Sequence, residues 1–497
     1  MRGSTQGAIY LTQRNKTRNR LLSLISLLIV LTVPSVLLVY TALNFTNLEI
    51  ERGGRGYITD EVWYVSSSRV ILKKIFGLSV KQDPVNYGVN IVFQSSNYAQ
   101  LTCQNIAPHY SIKTRCDYSK IPAVYVSGYV DEVWSFINEV NKTYPVVDVI
   151  PGWELPDSEG INNYINWEHP PLGKYLIALS MLMIGDYPFY WRIPIISFGV
   201  LACVLVYLIL CRLTKSYIPS IVGALLFTID NITRAIYSIA ILDGFVATLT
   251  LISLYFALKG KYRSALLSAI IAGLFKASGL FTLIPIIIVL ARRIARETSG
   301  GLGDFIYYTV YYGVLSIGLW VSLLTIVSLP VANYMGVSEW FKQSLLGSIS
   351  WHLSIKCTGP NCATSSNPWD WFLGYHSFAL YNYPDGTTLY AEGYYPLWFT
   401  SLILALISIP LMFIRRDYGK TLLYYLGIFA GYIGIWILGS RTQYSFYAIH
   451  LAPFIYINLI YLAHSYAEDQ ELGVYVLRSW YNSIEKIVNK IEQVLFL

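Results

Sequence analysis

Charged residues are scarce in this chain. Asp, Glu, Lys and Arg make up 13% of its 497 residues, about half the share of an average soluble domain. That shortage excludes an ordinary water-facing globule. The rest of the composition agrees, with 55% hydrophobic residues and a mean hydropathy of +0.47. Acids are fewer than bases, 29 against 36, for a net charge of +7. The bases form no long patch of the kind a nucleic-acid surface needs. They sit in short clusters between apolar runs, where they orient membrane segments, and no nucleic-acid partner is expected. No internal repeat is visible, which counts against a secondary transporter.

Several apolar runs approach the roughly 20 residues that cross a bilayer as a helix. The composition therefore predicts an all-α polytopic protein of the cell membrane, with membrane lipid as a standing partner. Arg14, Lys16, Arg18 and Arg20 hold residues 1–20 in the cytoplasm. Residues 21–43 form the first span, too long for the apolar region of a cleaved signal peptide. Counting basic clusters onward predicts a first external loop at 44–174 and a helix bundle at 175–464, with a cytoplasmic amphipathic tail at 465–497. Within the bundle the expected spans are 193–210, 218–229, 236–258, 266–275, 280–290, 306–329, 396–413, 422–438 and 446–463, with a second external loop at 330–395. The run 175–184 is only ten residues, about 15 Å as a helix, and reads as an interfacial helix on the outer face.

Six cysteines fall as three pairs. Cys203 and Cys211 share an apolar run and read as free packing residues. Cys103 with Cys116, and Cys357 with Cys362, lie in polar loops without zinc-finger spacing, so two short disulfides are expected instead of a metal site. Strand-like runs at 89–93 and 123–126 beside the first loop pair predict a small inserted α/β subdomain.

Ionisable groups crowding a membrane boundary are functional candidates. The topology brings Asp60, Glu61, Glu168, His169, Lys174, Lys276 and Arg441 to the external face, with Arg192, Arg234 and Asp243 near it. Carboxylates and cations gathered there suit a reaction between a lipid-borne anion and an external acceptor. Cations would hold a polyprenyl phosphate, and a carboxylate would take the acceptor proton. Plainer readings exist: Asp60 and Glu61 could cap the helix predicted at 62–75, Lys174 could snorkel, and Arg192 or Arg234 could anchor to the interface. A second acidic pair, Asp131–Glu132, repeats the Asp-Glu-Val-Trp pattern of Asp60 and competes for the role of base.

The order Asp60-Glu61, then His169-Pro170-Pro171-Leu172-Gly173-Lys174, then Trp191-Arg192-Ile193-Pro194 resembles the dolichyl-phosphate-mannose–protein mannosyltransferases of the GT-C class. Ile239 to Asp243, Lys276 to Phe281, Asn367 to Trp371, and Arg441 through Phe454 match in family order. Ser238 stands where the family has an arginine, with Arg234 a turn earlier, and Ala277 replaces a tryptophan. The resemblance implies a GT-C transmembrane helix bundle whose large first external loop carries interfacial helices. It implies mannose transfer from a dolichyl-type phosphate to a protein Ser or Thr hydroxyl, with Asp60 as base and Glu61 in support. Lys174, with Lys276 or Arg441, and Arg192 would hold the donor phosphate. Glu168, His169, Arg234 and Asp243 would shape the site. No cofactor is required by the resemblance, although a divalent metal near Asp60-Glu61 is compatible with it. The alternatives are a related enzyme moving another sugar, such as aminoarabinose, onto a lipid or glycan acceptor, and a polytopic transporter.

Overall fold

The computed structural model describes residues 3–354 and 362–495. Where the apolar runs lie, helices form: α1 (Gly3–Glu51), α2 (Glu61–Val70), α3 (Ser96–Asn105), α4 (Val130–Thr143), α5 (Leu172–Met183), α6 (Pro188–Thr214), α7 (Tyr217–Ile229), α8 (Asn231–Ile236), α9 (Asp243–Leu258), α10 (Tyr262–Ala272), α11 (Leu283–Glu297) and α12 (Leu302–Met335). Helices Tyr395–Ile407, Arg416–Ile437, Ala452–Glu468 and Glu471–Leu495 follow. Among the described residues, five segments are long and apolar enough to cross a membrane: Leu21–Glu51, Pro188–Thr214, Ala277–Glu297, Leu302–Met335 and Arg416–Ile437. Shorter apolar helices, α7, α9 and α10 among them, fill the bundle between them. The chain is a multi-pass membrane protein.

Several expected spans start or stop short, and three of these changes bear on the site. The span expected at 236–258 is broken between α8 and α9, and 266–275 stops as α-helix at Ala272. The span expected from 446 begins as a short 3-10 turn, Ser445–His450, before the helix at Ala452. Unwound backbone inside an apolar bundle is tolerated only where other groups satisfy its donors. Here Glu61 Oε1 accepts the Ala240 N–H at 2.6 Å, and the Ile239 carbonyl accepts the Ile241 N–H at 2.8 Å. The three breaks adjoin Asp243, Lys276 and Tyr447, which meet in space.

The subdomain predicted within the first loop is a four-stranded sheet. Strands β1 (Tyr87–Phe93), β2 (Lys113–Arg115), β3 (Ala123–Gly128) and β4 (Val146–Pro151) lie in the order β2-β3-β1-β4, each pair antiparallel. With α3 after β1 and α4 after β3, this is the split β-α-β arrangement. Alternation sorts the side chains. Val89, Ile91, Phe93, Val124 and Val126 face Val133, Phe136, Ile137 and Val140 of α4, which follow helical spacing. On the other face Val92, Ala123 and Ile150 pack with Leu155 and Ile161, and Val62 of α2 rests against them. The subdomain thus seats directly on the helix that begins beside Asp60. A disulfide joins Cys103 and Cys116, while Cys203 and Cys211 are free. Cys357 lies outside the described residues, and with it the expected Cys357–Cys362 pairing.

Candidate active site

The two acids at the start of α2 face different partners. Glu61 is fully buried and its carboxylate is saturated. Arg192 Nε and Nη2 reach its two oxygens at 2.8 and 2.7 Å, while the Ile58 and Ala240 N–H groups donate at 2.9 and 2.6 Å. The rest of the Arg192 guanidinium binds the carbonyls of Ala42 and Gly56 and the Thr46 hydroxyl. One ion pair therefore ties α1, the 56–61 turn, α6 and the unwound segment before α9. Gly56 adopts φ +82°, where a Cβ would strike the Pro188 ring, so only glycine fits this close approach.

Asp60 does not join that network and makes no cap hydrogen bond. It follows Thr59, a β-branched residue held at φ +46°, a conformation that costs about 1–3 kcal/mol and persists only under constraint. The Asp60 carboxyl is pushed up to about 6, first by burial and then by Asp243, with the Lys276 ammonium opposing. Asp243 opens α9, where the helix N-terminus favours an anion. Lys276 Nζ lies 2.8 and 3.0 Å from the Asp243 oxygens and 4.1 Å from the centre of the Tyr447 ring. Asp60, Asp243 and Lys276 are thus gathered from three distant parts of the sequence. Tyr64, a turn into α2, belongs to the same group. Burial raises its phenol well above the usual range, and Asp60, Asp243, Tyr447 and Glu168 raise it further.

The His-Pro-Pro-Leu-Gly-Lys string holds the wall beside this group. Pro170 and Pro171 lead directly into α5, as suits residues at a helix start. A Cβ on Gly173 would lie 2.5 Å from Leu242, so glycine lets α5 approach the unwound segment. Lys174 is buried and donates to backbone carbonyls, those of Ile165 at 3.2 Å, His169 at 2.9 Å and Asn166. Its ammonium fastens the 165–169 loop, and Lys174 also lines a small cavity with His169, Pro170, Pro171 and Trp340. Glu168 accepts from Tyr164 and Asn166 through one oxygen, and the His169 ring lies 5.7 Å from that of Tyr64. Arg441 is exposed and stacks on Trp436, its guanidinium carbon 3.5 Å from the ring centre. Arg234, on α8, lies near Tyr383. Asp131 and Glu132 are exposed in the first turn of α4, on the subdomain.

Sequence reasoning missed Tyr64 and a second buried clamp, and it gave Tyr447, within the matching run after Arg441, no role. In that clamp Arg69 binds Asp186 at 2.7 and 2.9 Å, and Asp186 also accepts from the Trp153 N–H and the Trp191 indole. A divalent metal does not fit the acidic pair, because every lone pair of Glu61 is directed at a donor and Asp243 is bound to Lys276. Among the described residues no cluster of three His, Cys, Asp or Glu side chains is arranged to hold one.

No family model matches the chain. The polyprenol-phosphate-mannose–protein mannosyltransferase of Mycobacterium tuberculosis is 20% identical over 411 residues, 65% of this chain and 77% of that protein. The protein of the same name in Corynebacterium glutamicum is 23% identical over 384 residues, 63% and 74% of the two chains. The chain is a glycosyltransferase. This glycosyltransferase is also 27% identical over 234 residues to the undecaprenyl phosphate-alpha-4-amino-4-deoxy-L-arabinose arabinosyl transferase of Pseudomonas aeruginosa, covering 44% of this chain but 39% of that one. Crystalline ArnT from Cupriavidus metallidurans in the apo state aligns with 13% identity over 81% of this chain and 57% of that chain, at a TM-score of 0.38.

Proposed function

We propose that this glycosyltransferase transfers mannose from a polyprenyl phosphate to a protein Ser or Thr hydroxyl at the outer membrane face, with Asp60 as general base. The observation that carries the reading is the convergence of Asp60 with the Asp243–Lys276 pair at the unwound ends of three helices. A base needs a pKa near the working pH, and a carboxyl pushed up to about 6 meets that need. The acceptor oxygen attacks C1 of the sugar while the bond from C1 to the phosphate oxygen breaks. The hydroxyl proton passes to the Asp60 carboxylate, and the electron pair of the broken bond leaves on the polyprenyl phosphate. Lys276 neutralises the charge developing there, and Arg441 receives the phosphate as it arrives. Glu61 and Arg192 serve by fixing the 56–61 turn, so their part is positioning.

The names of the mycobacterial and corynebacterial relatives support mannose and a protein acceptor. The shorter match to the arabinosyl transferase favours a second reading, transfer of an amino sugar to a lipid. Purified protein offered radiolabelled polyprenyl-phosphate-mannose with a Ser/Thr-rich peptide should label the peptide. Label appearing only in a lipid fraction, or only from an aminoarabinose donor, would select the second reading.

A further inference from the structure

A cavity of substantial size lies at the other end of the bundle from Asp60. Helix α9 runs from Asp243 through 16 residues, about 24 Å, and the chain then turns at Gly260. There α10, α11 and α12 enclose a cavity of about 590 Å³. Its mouth carries Lys261, Arg263 and Arg293, and its walls are apolar, with Leu267 and Leu319 among them. Arg293 is paired with Glu297 at 2.6 Å, whereas Lys261 and Arg263 make no ion pair among the described residues. The mouth therefore keeps two positive charges uncompensated. Tyr262 sits between two cations, 4.8 Å from Arg293 and 5.8 Å from Lys420. An apolar slot with a cationic rim, set between helices of a membrane bundle, matches an amphiphile with a negative head.

We propose that this cavity binds an anionic phospholipid of the leaflet opposite the active site. The phosphate sits at Lys261, Arg263 and Arg293, and the upper part of an acyl chain lies along Leu267 and Leu319. Charge complementarity selects this occupant: basic pockets between transmembrane helices take anionic headgroups, whereas cations that merely anchor to an interface create no stoichiometric site. The site is independent of the sugar chemistry, so it stands or falls apart from the proposed reaction.

The test uses the full chain purified in detergent and native mass spectrometry with added dioleoyl phosphatidylglycerol or dioleoyl phosphatidylcholine. The expected result is one retained phosphatidylglycerol per chain, with phosphatidylcholine retained at least tenfold less. Retention should fall at least tenfold in the triple variant Lys261→Ala/Arg263→Ala/Arg293→Ala. It should fall as far in Leu319→Trp, which fills the slot, keeps every charge and decides the matter if the triple variant does not fold. Inorganic phosphate at equal concentration should not displace the lipid. Equal retention of the two lipids, undiminished retention in Leu319→Trp, or displacement by phosphate would overturn the proposal.

Discussion

Two buried ion pairs flank Asp60, and they differ in what they leave over. Glu61–Arg192 has both side chains fully buried, and the carboxylate and guanidinium also take backbone and hydroxyl partners around them. Asp243–Lys276 is nearly as buried, but beyond Asp243 the ammonium faces the rings of Phe446 and Tyr447. A saturated pair can only hold structure. A pair whose cation faces π-clouds can exchange a carboxylate for a phosphate oxygen at small cost, because the ring faces remain to stabilise the charge. Nearly the same residue types, a few helical turns apart, are thus suited to different tasks.

That contrast is broken most severely at the saturated pair. Arg192→Met leaves the Glu61 charge buried without its partner, which costs about 3–5 kcal/mol. Arg192→Met should therefore yield little folded protein, read as loss of the monodisperse peak in gel filtration. Lys276→Met also leaves a buried carboxylate, that of Asp243, without its partner. It removes none of the backbone and hydroxyl contacts that Arg192 makes, so it should lose less stability than Arg192→Met. Transfer by the folded protein should fall roughly a hundred- to a thousandfold, with the KM for the lipid donor raised. A Lys276→Met protein as unstable as Arg192→Met would erase the distinction.

The pH profile sharpens the same comparison. The base works deprotonated, so kcat/KM should rise with pH and level off above about 6. Lys276 lowers the Asp60 pKa and Asp243 raises it. Removing the cation in Lys276→Met should move the acidic limb to higher pH, and Asp243→Asn should move it lower. Limbs that stay in place in both variants would separate Asp60 from the pair. Arg441→Ala, at an exposed position, should give the smallest effect: a higher donor KM with an unchanged melting temperature. A drop in melting temperature would make Arg441 structural.

Much of this site was legible in the sequence, and its wiring was not. Asp60, Glu61, Lys174, Asp243 and Lys276 stand out because charge is rare beside apolar runs. Which acid meets which base depends on contacts across 131 and 33 residues, for Glu61–Arg192 and Asp243–Lys276, and no local spacing encodes them. Lys174 illustrates the limit. As a charged residue in a distinctive string it reads as a phosphate ligand, and nothing in the string shows that the carbonyls of Ile165, Asn166 and His169 also take its ammonium. The helix break before Asp243 was hidden for a different reason. Ile239-Ala240-Ile241-Leu242 is as apolar as the helix after it, and the Glu61 carboxylate that replaces a helical hydrogen bond comes from far away in sequence. Tyr64 was hidden by number, being one of 42 tyrosines, and the place of Tyr447 beside Lys276 was hidden for the same reason. The inserted subdomain was readable because alternation within β1 and β3 and helical spacing in α4 are local signals.

The most direct measurement compares sugar transfer by wild type and Asp60→Asn, both verified as folded by their melting temperatures. The substitution removes a charge that burial disfavours and disturbs no hydrogen bond of the Glu61 clamp, so the melting temperature should hold or rise. Transfer should fall roughly a hundred- to ten-thousandfold, with donor binding intact. A folded Asp60→Asn protein that transfers sugar at the wild-type rate would contradict the assignment of Asp60 as the base.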